Sequence, residues 1–184
     1  MAHFTSFVAT VAAWQNFYLL IGEAAATLVG LMFVAVTFGS RMVKPETVNL
    51  ARSFLDPTYG HFVHVIFTAC LLTIPTLTGS WLGGVLLFIS LMRGARLFQI
   101  YAHMQEAKRL HNTIEWSDWV MGIVLPSIWY ALLAVAGGAF IAGLNAAFTL
   151  LAVITIGVLL NGIHGAWELL VWLAMMQAGE NKPD

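Results

Sequence analysis

Among the side chains in or near the apolar runs of this sequence that titrate or carry charge are Glu23, Asp56, His61, His64, Arg93, Arg96, His164 and Glu168. An ionisable group inside an apolar span is expensive to keep there, so each is a candidate for chemistry. His61 with His64 and Arg93 with Arg96 are spaced i, i+3, and His164 with Glu168 i, i+4. Either spacing places both members of a pair on one helix face. Depth counted at 1.5 Å per residue brings the three pairs to one level. Asp56, just ahead of Pro57, falls close to that level.

Four kinds of chemistry fit this layer. Arg93 or Arg96 can pair with Asp56 or Glu168 as a purely structural electrostatic cluster. His61, His64, His164 and Glu168 form two chelating pairs of the type that zinc or iron accepts, so a divalent metal is one reading. His61 or His64, on the second span, and His164 can instead face each other as axial ligands of haem b, or border a quinone, in a membrane redox subunit. Finally, imidazoles titrate near neutral pH, with an unperturbed pKa of about 6.5, and so suit a proton-accepting or ion-binding layer. Glu23 stands apart, with Thr27 one turn further along the same face. As structure it can bond to Asn145 or Ser80; as function it is a carboxylate site for a proton or small cation.

The elements that carry these residues follow from hydropathy. The 184 residues are 60% hydrophobic and 9% charged, with a mean hydropathy of +0.84. Soluble domains carry roughly 25% charge. Five apolar spans are predicted, about 15–40, 60–79, 81–102, 119–142 and 145–176. Each approaches or exceeds the roughly 20 residues needed to cross a hydrocarbon core. Segments 41–59 and 103–118 are polar loops, whereas Gly79-Ser80 and Gly143-Leu144-Asn145 read as tight turns. The expected fold is therefore all-α and polytopic, a single transmembrane domain over 1–184 made of one helix and two helical hairpins, with the lipid bilayer as its principal partner.

All eight Lys and Arg residues fall on one side of such an arrangement. The positive-inside rule then places the loops after spans 1 and 3 and the C-terminus in the cytoplasm, and the N-terminus outside. No basic patch speaks for nucleic acid. There is no glycine-rich phosphate loop, HExxH or GxSxG motif, so an enzyme of the soluble type is not expected. The Met1–Phe4 start lacks the basic region of a secretory signal, and the first helix is expected to be retained. Cys70, the single cysteine, reads as a small buried apolar residue.

Packing signals are local. Gly22, Ala26 and Gly30 recur every four residues and suit close helix approach, within the chain or in a homo-oligomer. Pro75 and Pro126 are expected to lie inside spans, and Asn161-Gly162 marks a place where the long fifth span can bend. Trp14, Tyr18 and Trp81 read as anchors at the outer interface, and Tyr59, Tyr101, Trp116, Trp119 and Trp172 at the inner one.

The stretch Phe17 to Thr37, FYLLIGEAAATLVGLMFVAVT, with Phe54-Leu55-Asp56-Pro57-Thr58, resembles a group of small uncharacterised bacterial integral membrane proteins that share an AAATLxGLxFVA-like first helix. That resemblance covers about the first third of the chain. It implies a bacterial inner-membrane origin and carries over no activity and no functional residue. The expected function is an oligomeric membrane protein that binds or conducts a small cation or proton through Glu23, Thr27, His61, His64, His164 and Glu168, with Asp56, Arg93 and Arg96 setting the electrostatics. A cofactor-binding redox subunit and a scaffold without chemistry are the alternatives.

Overall fold

The computed structural model describes residues 2–39, 48–74, 77–110, 120 and 124–180, with side chains at 7, 9–39, 55–74, 77–97, 120 and 124–176. Among them are five helices and no strand: α1 (Ala2–Gly39), α2 (Val48–Leu72), α3 (Gly79–Leu110), α4 (Leu125–Ile141) and α5 (Ala146–Glu180). The predictions for Arg41, Lys44, Pro75, Trp116, Trp119 and Lys182 lie outside the described residues, as do those for the side chains of Arg52, Tyr101, Lys108 and Arg109.

The helices differ from the expected spans mostly at their ends. Polar residues do not stop a helix that has no breaker, so α2 begins at Val48 inside the expected first loop and carries Pro57 within it. The same reasoning takes α3 on to Leu110, well into the expected second loop. α2 stops earlier than expected, at Leu72, since the residue before Pro75 is biased away from helix. Thr73 then turns the chain, its N–H bonded to Cys70 O at 3.2 Å and its hydroxyl to the same oxygen at 2.7 Å. Gly79 and Ser80 open α3 instead of forming a turn, with Thr78 Oγ1 accepting the Trp81 N–H as an N-cap. The Gly143 turn is as expected. Leu144 N–H bonds to Ala139 O and Gly143 N–H to Phe140 O, while Gly143 takes φ +72°, the Schellman pattern that ends a helix on glycine.

Two of the helices are long and apolar enough to cross a membrane: Ala9–Gly39 in α1 and Ala146–Met176 in α5, each 31 residues with mean hydropathy 2.2. Leu125–Ile141 is apolar but shorter. Every helix exposes large apolar side chains, among them Leu20 and Phe38 on α1, Phe67 on α2, Phe88 and Leu91 on α3, Val135 on α4, and Trp167 and Met175 on α5. Patches of that extent are foreign to a surface meant for water.

The chain divides into two compact units. The first comprises residues 1–15 and 74–157. Its α3 and α4 meet backbone to backbone at Gly83 and Gly137, where a Cβ on either glycine would strike the carbonyl of the other. Ser90 Oγ donates to Tyr130 O at 2.7 Å in the same interface. Phe7, Phe140 and Phe148 pack as an aromatic cluster, with ring centroids 4.9–6.5 Å apart. They border a cavity of about 420 Å³ beside the Gly143 turn.

The second unit comprises 16–73 and 158–184. Its core gathers Met32 of α1, Phe62 of α2 and Leu169 of α5, with Leu28, Val36, Leu55, Leu159 and Trp172 packed around them. Gly22 of α1 is in contact with α2, since a Cβ there would lie 2.8 Å from that of Ala69. Ala26 and Gly30, by contrast, are exposed. A strict four-residue repeat turns by about 40° per step on a helix of 3.6 residues per turn, so the three small residues do not share the buried face. Two further expectations are corrected. Tyr18 is wholly buried and not an interface anchor, and Cys70 is exposed, on the side of α2 away from His64, Val65 and Thr68.

Candidate functional site

The polar interior of the second unit is built mainly by α2. Thr58, His61, His64 and Thr68 recur at three- and four-residue intervals, and all are more than nine-tenths buried. That periodicity is the one that holds residues on one helix face. Phe62, Val65, Ala69 and Leu72 continue the same buried side, whereas Tyr59, Val63 and Phe67 point outward.

α5 reaches this stripe through its small residues. A Cβ on Gly162 would lie 2.8 Å from the ring of Phe62 and 3.2 Å from His61 Cβ, and one on Gly165 would strike the Thr58 hydroxyl. These glycines do not interrupt α5, which runs unbroken from Ala146 to Glu180. They let two backbones approach so closely that Asn161, itself buried, sets its amide against a ring of α2. Asn161 Nδ2 lies 3.2 Å from His61 Nε2. One turn beyond His64, Thr68 is fully enclosed, and its hydroxyl has no hydrogen-bond partner among the described residues.

The remaining expected residues, apart from the half-buried Arg93, are at the surface. His164 Nε2 and Glu168 Oε1 are 3.6 Å apart on α5, with side chains about half exposed. Asp56 is exposed. Arg93 is half-buried and acts electrostatically on Tyr130 of α4, while Arg96 is exposed. Glu23 is exposed on α1, and the Thr27 hydroxyl one turn on donates to the Glu23 carbonyl oxygen at 2.9 Å, not to its carboxylate.

The expected layer is thus divided. His61 and His64 are inside and His164 and Glu168 outside, and among the described residues no group of three His, Cys, Asp or Glu converges as metal ligands. The residue that α5 offers to His61 is Asn161, three positions before His164. Asn161, Thr58 and Thr68 were not foreseen as members of the site. The signal was present: an amide in the otherwise apolar run from Ala146 to Ile163 is nearly as conspicuous as a charge.

No protein-family model, no curated protein and no solved structure matches this chain.

Proposed function

We propose that this chain spans a membrane, the inner membrane of a bacterium, with five helical passes, its N-terminus outside and its C-terminus in the cytoplasm, and that it binds or passes a proton or small cation through the buried polar stripe of its second unit. The large apolar side chains exposed on every helix support a lipid environment. The one-sided placement of the basic residues supports the orientation. The bacterial origin rests on the resemblance of the first helix alone.

The observation that carries the functional reading is the His61–Asn161 bond, enclosed in an apolar three-helix unit and continued along α2 by His64 and Thr68. Buried polar groups are usually kept only where they are bonded or used. A neutral imidazole accepts a proton on one nitrogen and releases one from the other, and a threonine hydroxyl donates and accepts, so these side chains are the types a proton relay needs. His164 and Glu168, exposed and close together on α5, are placed to exchange protons with the cytoplasmic surface in this orientation. Glu23 is a carboxyl group of the same unit, near the middle of the apolar stretch Ala9–Gly39 of α1.

Proteoliposomes with a trapped pH dye and an imposed potassium diffusion potential test this. The wild-type protein is expected to pass protons, and His61→Ala and His64→Ala to reduce the flux at least tenfold. An inert wild type overturns the reading. So does a conducting protein whose flux is unchanged by His61→Ala, Glu23→Gln and His164→Ala alike.

A further inference from the structure

We propose that the outward face of α1 pairs with α1 of a second copy of this chain, with Ala26 and Gly30 at the crossing and each Glu23 set against Thr27 of the other copy. This rests on the membrane-spanning reading above. In α1 only 11% of the most apolar window is buried within the chain, against 56% in α5. The buried side of α1 is Tyr18, Ile21, Ala25 and Met32. At about 100° per residue, Glu23, Thr27, Gly30 and Val34 fall within about 60° of one another on the opposite side. Glu23 sits 14 residues from the start and 16 from the end of the apolar stretch Ala9–Gly39, a depth from which its short side chain cannot reach water. A carboxyl so placed does not remain against hydrocarbon and requires a polar partner.

The same face supplies that partner. The Thr27 proton is given to Glu23 O, so the hydroxyl oxygen keeps its lone pairs for an incoming donor. The O–H of a carboxylic acid is such a donor. The face therefore complements itself, as a two-fold interface between identical chains must. Close approach is open as well. Among the described residues nothing lies within 4 Å of where a Gly30 Cβ would be, and Ala26 is exposed, so both are small residues on an exposed surface of the kind at which membrane helices cross.

Cysteine cross-linking in native membranes tests the pairing, in a Cys70→Ala background because Cys70 is itself exposed. Oxidation is expected to link Ala26→Cys and Gly30→Cys into dimers of twice the chain mass, while Val153→Cys, an exposed position on α5, stays monomeric. In detergent, Gly30→Leu is expected to weaken the dimer at least tenfold, and Glu23→Gln, whose amide still donates, to retain it. A carbonate-resistant chain that stays monomeric at positions 26 and 30, or links there only to a protein of another mass, overturns the pairing alone. Release of the chain from membranes by carbonate overturns the membrane-spanning reading and the premise of the pairing with it.

Discussion

Asn161 and His61, a hundred positions apart in sequence, are joined by a single contact, amide Nδ2 to ring Nε2 at 3.2 Å, with both side chains buried. An amide nitrogen only donates, so Nε2 must accept and the neutral ring carries its hydrogen on Nδ1. Nitrogen-15 spectra of histidine-labelled protein are expected to show that tautomer for His61 and to lose it in Asn161→Leu. Removing the amide also leaves a buried acceptor unsatisfied, at a cost of about 1–3 kcal/mol. The midpoint of thermal unfolding in detergent should fall accordingly. A His61 ring protonated on Nε2 in the wild type would show the bond to be drawn the wrong way round.

Adjacent glycines of α4 give opposite expectations. Gly137 faces the Gly83 carbonyl, 2.9 Å from where its Cβ would be, whereas Gly138 has nothing within 4 Å among the described residues. Gly138→Ala should stabilise the helix by about 1 kcal/mol through propensity alone. Gly137→Ala should cost about 1–3 kcal/mol, because two backbones must separate. Thermal melts of the two variants side by side check this, and equal shifts would mean that α3 and α4 do not meet at Gly83 and Gly137.

The order of the five described helices was legible because each apolar run is long and the breaks between them are compositionally sharp. The helix ends were less so. Asn49, Arg52 and Asp56 look like loop residues, yet nothing in their backbone chemistry prevents helix, and α2 includes them. At the site, His61 and His64 could be put on one face by spacing. Their partner could not, because depth counting gives level but not azimuth. His164 is near the right height and exposed, while Asn161, most of a turn earlier, is the residue bonded to the ring. Gly162 and Gly165 were equally ambiguous in sequence, since a glycine pair suits a bend as well as a close contact, and only their neighbours Phe62 and Thr58 decide between the two.

The turn between α4 and α5 depends on one backbone conformation. Gly143 has φ +72°, and the two bonds that close the helix, from Gly143 and Leu144, require it. An L-residue with a Cβ pays about 1–2 kcal/mol in this region. Gly143→Ala is expected to lower stability by that amount, and Gly143→Asn by less, since asparagine tolerates the left-handed region. Equal losses for alanine and asparagine in a detergent melt would argue against a left-handed Gly143.

The lipid-facing surface can be read one residue at a time. Trp167 on α5 and Phe88 on α3 are both more than three-fifths exposed, whereas Trp129 is half-buried and its ring packs where a Gly157 side chain would lie. If the exposed apolar faces meet hydrocarbon, a bromine on the acyl chain will reach the first two positions by direct contact and the third poorly. Variants with a single tryptophan, at 167, at 129 or as Phe88→Trp, are therefore expected to divide in liposomes of brominated lipid. Strong quenching should appear for 167 and 88, and weak quenching for 129. Quenching of all three by an aqueous quencher such as acrylamide, with none by the brominated chains, would instead mean that these faces are covered by water or by protein, and would remove the main support for a membrane-spanning chain.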